Sequence, residues 1–204
     1  MDLIDDISDR LLLDHPFYRR WEAGELSRDE LTAYAEQYRH FEAQLPSFLE
    51  ALLAIVPAAD RPLIEANLAD EVAGPATHLE LFDRFCASVD ATSAAASPAM
   101  SSLTDLYEAA VASNDASFAV GVLAGYEVQA AEVAATKGAG LTEHYGVDGD
   151  GVAFWSLHAE LEAEHAAWTV AAASTLDEER VREGARASAE AWWRFLDERE
   201  ALVA

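Results

Sequence analysis

Only one cysteine, Cys86, and one lysine, Lys137, occur in the 204 residues. A single cysteine excludes an internal disulfide and fits a reducing cytosol. Basic residues are scarce altogether: 13 Lys and Arg stand against 38 Asp and Glu, a formal charge of −25. So negative a surface repels phosphate backbones, which removes nucleic acid from the candidate partners. Charges interrupt every apolar run short of membrane-spanning length, so no membrane partner is expected. The opening MDLIDDISDR has neither the basic region nor the apolar core of a signal peptide, and a cytoplasmic protein is expected. Glycine (10) and proline (6) are few and fall between long periodic stretches, while strand-type alternation is scarce.

What the chain has in quantity is alanine, leucine and glutamate at helical spacing, the mark of an all-α protein. The acids are spread through these helical periods and do not collect in a disordered tail. Twelve of the 13 basic residues are arginine. An acidic surface poor in lysine suits a salt-rich cytoplasm, where dense salt screens self-repulsion.

The expected architecture is one domain over 1–204, a compact bundle of seven or eight helices. DLIDDISDRLLL has helical spacing, and Pro16 opens a short helix. Ser27 and Glu30 form a capping box at the head of a longer helix, which Pro46 should kink or interrupt. Asp60 and Pro62 start the next helix, Gly74-Pro75 breaks it, and Thr77 caps its continuation. A low-complexity loop spans 90–102, and helices are expected at roughly 103–113, 116–137, 151–174 and 178–201.

HAELEAEH, residues 158–165, concentrates the chemistry. His158, Glu162 and His165 are four and three apart and project as one column on a helix. Glu162 and His165 make the Glu-x-x-His pattern used by carboxylate-bridged metal bundles. A solvated stripe accounts for Glu160 and Glu164 but not for the histidines. Trp155, Leu161 and Trp168 flank the column and point to a buried or half-buried face.

In FAVGVLAGYEVQAAEVAA, Glu127 lies in a segment otherwise nearly apolar, where a lone carboxylate needs a compensating cation or donor. In DEVAGPATH, Glu71 and His78 are seven apart across a locally unwound joint. Three carboxylates and three imidazoles suit two first-row metals.

LLLDHPFYRRWEAGELSRDEL, YAEQYRHFEAQLP, GYEVQ and HAELEAEH together resemble the haem-oxygenase-like di-metal oxidases, and within them the CADD-like group. The His-Pro-Phe opening is shared with TenA and PqqC relatives and speaks for the fold alone. The resemblance implies metal ligands Glu71, His78, Glu127, His158, Glu162 and His165, with Glu162 departing from the usual aspartate. It implies two irons or a manganese–iron pair, molecular oxygen, an electron donor and a homodimer. It further implies that p-aminobenzoate for folate is cut from the protein's own Tyr18, with Lys137 as amino donor and Tyr34 and Tyr126 as relays. Lys137 is the only lysine of the chain, a placement that chance would rarely produce.

Two other classes compete. One is an oxidase with the same six ligands acting on a free small molecule, and the other is a non-catalytic TenA-like binding protein. A thiamin-degrading hydrolase needs a cysteine just ahead of Tyr126, where this chain has Ala124-Gly125. Cys86 reads instead as a small buried hydrophobe.

Overall fold

Two capping boxes set the heads of the helices that will carry the site. Ser27 accepts from the Glu30 amide while Glu30 reaches back, and Thr77 and Glu80 do the same further on. In the computed structural model, which describes residues 2–202, no strand occurs among the described residues. The helices are α1 Leu3–Asp6, α2 Pro16–Glu22, α3 Arg28–Ile55, α4 Arg61–Val72, α5 His78–Ser88, α6 Pro98–Ala112, α7 Ala116–His144, α8 Ala153–Ala173 and α9 Glu178–Ala201. That makes nine described α-helices where seven or eight were expected, and the N-terminal segment, expected as one helix, breaks into pieces. α1 ends at Asp6, and two 3₁₀ turns, Ser8–Arg10 and Leu12–Asp14, follow. Asp and Ser side chains there bond locally and compete with helix continuation.

Pro46 does not interrupt its helix. α3 runs unbroken through it, since Leu45, Phe48, Leu49 and Leu52 bury the stripe on both sides and outweigh one missing N–H. α6 begins at Pro98, inside the expected loop, with Ser97 as its cap. α7 extends to His144, seven residues past Lys137, the residue at which the sequence placed its end.

α7 is the central helix, packed along both α8 and α9. Contrary to the sequence expectation, it is long and apolar enough by length and composition to cross a membrane, but most of that stretch is buried against its neighbours. Glycines set its approach to α9. A Cβ on Gly121 would overlap the Val181 carbonyl, and one on Gly184 the Phe118 carbonyl. α3 packs on α4, α5 and α6 and closes the other side of the core. Cys86 is buried with its thiol against the Ala35 carbonyl, and burial pushes that thiol up to about 12. A thiol held that high is no nucleophile at neutral pH.

Candidate metal centre and its aromatic chamber

All six expected donors are buried, none more than 5% exposed. α8 contributes His158, Glu162 and His165 on one face, as their spacing requires, while Glu160 and Glu164 face solvent. The α4–α5 joint, with Gly74 at φ +93, folds the chain back so that Glu71 and His78 meet. His78 Nδ1 lies 3.0 Å from Glu71 Oε1. Nevertheless His78 Nδ1 has no hydrogen-bond partner, because that oxygen lies off the direction of a ring N–H. Glu71, His78 and His158 bring one donor atom each within 4.8 Å of one another. Glu162 spans the two other imidazoles, with Oε1 3.7 Å from His158 Nε2 and Oε2 3.6 Å from His165 Nδ1. Its Oε2 also lacks a hydrogen-bond partner.

Outer groups fix which nitrogens face inward. His158 Nδ1 is 2.9 Å from the Phe154 carbonyl, which can only accept. The proton is therefore on Nδ1, and Nε2 is a free lone pair toward Glu162. His165 Nε2 is 3.2 Å from Asp70 Oδ2, which leaves Nδ1 pointing to the cluster. Imidazoles held in this way by a carbonyl or a carboxylate are the usual second layer of a metal site. Buried carboxylates and imidazoles that converge in this way are a donor set that fits first-row metals.

Glu127 stands apart from the tight cluster. Asn67 Nδ2 donates to its Oε1 at 2.6 Å and Thr169 Oγ1 donates to its Oε2. Burial, followed by the charge of Glu162, lifts its carboxyl to about 8, against the pull of those two donors. Burial drives His158 well below its ordinary range, and neighbouring His78 adds to this. Burial also opposes charge on His165, but Glu162, Glu127 and Asp70 outweigh it and lift the ring to about 9.

Beyond the cluster lies a chamber of rings around Lys137, which is 1% exposed. Lys137 Nζ sits 4.6 Å from the centre of the Tyr18 ring, 4.7 Å from Tyr38 and 4.4 Å from Trp155. It donates to the Tyr34 hydroxyl at 2.6 Å, and that hydroxyl lies 2.7 Å from the Tyr18 hydroxyl. Burial holds the amine well below its ordinary range, with only the charge of Glu42 opposing. Lys137 and Tyr126 are eleven residues apart on α7, close to three full turns, and so share its face.

Tyr126 and Tyr34 are joined through a residue the sequence did not single out. The Tyr38 hydroxyl contacts the Tyr126 hydroxyl, and the Tyr38 ring lies 5.5 Å from that of Tyr34. Tyr38 was legible as a core aromatic only, as were Asn67, Thr169 and Asp70 as ordinary helix polar groups.

A family model described as iron-containing redox enzyme matches residues 32–197 of the chain. A 4-aminobenzoate synthase of Chlamydia pneumoniae is 31% identical over 214 residues, covering 96% of this chain and 92% of the relative. Among solved structures, a TenA homologue of Pseudomonas syringae superposes with a TM-score of 0.81 at 14% identity, over 98% of this chain and 91% of that one. A CADD-like protein of Nostoc punctiforme does so with a TM-score of 0.74 at 19% identity, over 96% of each chain. These two share the haem-oxygenase-like fold.

Proposed function

The chain belongs to the family of iron-containing redox enzymes, and we propose that it is a self-consuming 4-aminobenzoate synthase that builds its product from Tyr18 and Lys137. The observation that carries this reading is the Lys137 amine seated 4.6 Å from the Tyr18 ring centre, inside a chamber of buried side chains. A free substrate would need space where these two residues already touch. The Chlamydia relative bears the same activity in its name.

Glu71, His78, Glu127, His158, Glu162 and His165 would hold the metals, two irons or a manganese–iron pair. When bound, such a pair activates dioxygen and supplies the oxidising equivalents, with electrons from an external donor. Asp70 and the Phe154 carbonyl orient the two imidazoles. Asn67 and Thr169 donate to Glu127 and hold its carboxyl beside the cluster.

Lys137 and Glu127 are ten residues apart, about 15 Å along the helix axis. The rings of Tyr126, Tyr38 and Tyr34 form a contiguous file across that gap to Tyr18. Burial disfavours the charged form of Lys137, which favours a free nitrogen lone pair toward the ring it covers. The Tyr34 hydroxyl touches both the amine and the Tyr18 phenol, so it holds the proton between them. Phe17, Trp21 and Trp155 wall the chamber and exclude water from these groups.

A single lysine makes the test clean. Protein grown with side-chain ¹⁵N-lysine and ring-¹³C-tyrosine is loaded with iron without oxygen, then exposed to air. p-Aminobenzoate carrying both labels is expected, less than one per chain, and none from Tyr18→Phe or Lys137→Arg. Unlabelled product, or product from Tyr18→Phe at the wild-type level, would mean a free substrate. Loss of about two metals per chain in the His158→Ala, His165→Ala double variant tests the centre separately.

A further inference from the structure

Glu42, on α3, has no part in the scheme above, yet it is 3% exposed and its Oε2 has no hydrogen-bond partner. Such a carboxylate is costly to bury without a cation or a donor. The register of α3 against α5 places it. The two helices run antiparallel: Thr32 bonds the Val89 carbonyl, the Cys86 thiol meets the Ala35 carbonyl, and Arg39 pairs with Asp83. The Tyr38 ring stacks on Phe82 at 5.2 Å. Each step of three or four residues up α3 matches an equal step down α5. One further turn sets Glu42 level with His78. On its other flank, Phe41 packs 5.7 Å from Tyr126, the residue before Glu127. That register puts Glu42 on the side of α3 that faces the donor layer, at the level of His78 and one residue from the Phe41–Tyr126 contact, on a long helix that supplies none of the six expected ligands.

Its surroundings point the same way. Burial, then the charges of Glu71 and Glu162, push its carboxyl well above the ordinary carboxylate range, against the pull of Lys137 and the Tyr38 hydroxyl. Four carboxylates thus share one buried layer, and the nearest lysine amine is engaged with Tyr34. Four carboxylates are also the number that carboxylate-bridged two-metal bundles supply, there with two imidazoles in place of three.

We infer that Glu42 is a seventh protein donor to the metal centre, a carboxylate that closes the site on the α3 side. This rests on the metal-binding reading given above. It makes the centre richer in oxygen than the six-residue set and brings α3 into the set of helices that hold it.

Wild type, Glu42→Gln and Glu42→Asp are to be compared by anaerobic titration with Fe²⁺ and with Mn²⁺, read as metals per chain, affinity against a competing chelator, and the melting shift on loading. For Glu42→Gln the metal-free protein should melt no lower than wild type, since a neutral isostere replaces an acid with one buried oxygen left without a partner. Its affinity for at least one of the two metals should fall tenfold or more, with a smaller melting shift, and Glu42→Asp should recover part of both. If Glu42→Gln loses its helical circular dichroism, Glu42→Asp alone decides: wild-type affinity there, with the carboxylate drawn back by one methylene, overturns the inference. Two metals bound by Glu42→Gln at wild-type affinity also overturn it. If product formation nonetheless slows, Glu42 serves Lys137 instead. A wild-type chain that takes up no metal would fell the metal-binding reading itself, a distinct result.

Discussion

Lys137 donates its hydrogen bond to Tyr34 and not to Tyr18, although its nitrogen lies over the Tyr18 ring. The amine thus has a polar partner in a dry chamber while its approach to the ring carbons stays open. Tyr34→Phe removes that partner and the only hydroxyl seen to touch both groups. Product yield should fall tenfold or more, with metal content unchanged. Tyr38→Phe should slow product formation without altering the Lys137–Tyr34 contact, because it takes one phenol out of the file leading from Tyr126. Metal analysis beside product chromatography separates both effects from loss of the centre. Wild-type yield from either variant would remove that residue from the scheme.

Stability should carry the signature of the buried amine. Below pH 10.5 an unfolded lysine is protonated, whereas burial keeps folded Lys137 neutral down to a much lower pH. Between those limits the unfolded chain binds the extra proton, so this residue's contribution to stability rises with pH. Lys137→Met has no such penalty and should be the more stable protein at neutral pH. Its advantage should shrink by about 1.4 kcal/mol per pH unit inside that window and vanish above about pH 10.5. Urea denaturation of the metal-free proteins at pH 7, 8 and 9 measures it. A difference independent of pH would mean that Lys137 is charged in the folded protein.

Asp70 is partly exposed and close to the surface, yet it accepts from the His165 ring. Asp70→Asn leaves the fold intact and loosens the ring's orientation and basicity. Metal affinity should drop by about 10- to 100-fold, the range found when such outer partners are lost. Chelator competition reads this directly, and unchanged affinity would assign Asp70 a purely structural contact.

The contact of α7 with α9 leaves no room for a side chain. At Gly184 a methyl group would press on the Phe118 carbonyl and the Val122 amide. Gly184→Ala should cost about 1–3 kcal/mol, typical of overpacking, and lower the melting temperature. A neutral result would show that the two helices can slide apart freely.

The site was legible in the sequence where an anomaly stood out against its neighbours. Glu127 is a lone acid in an apolar segment, and His158, Glu162 and His165 share a column that solvent could not explain. Glu42 gives the same kind of signal. It falls on the stripe of Leu31, Tyr34, Ala35, Tyr38, Phe41, Leu45 and Leu49, all buried, but the many other acids of α3 hide it. Asp70, Asn67 and Thr169 had no such contrast, because their roles depend on which helix lies opposite. Tyr38 is invisible for the same reason: its link to Tyr126 joins residues 88 apart. Pro46 misled because local propensity weighs less than a buried stripe on both sides of it.

Residues 72–75 of the α4–α5 joint are exposed, and the two donors Glu71 and His78 lie on either side of it. A metal shared by both would pin the two helices together more firmly than packing and the Glu71–His78 contact do alone. Proteases attack where backbone can locally open. Cleavage between residues 72 and 77 would therefore be slow in a metal-loaded molecule and faster in a metal-free one. The joint that brings two donors together would thus also report, as a protease site, whether the centre is filled.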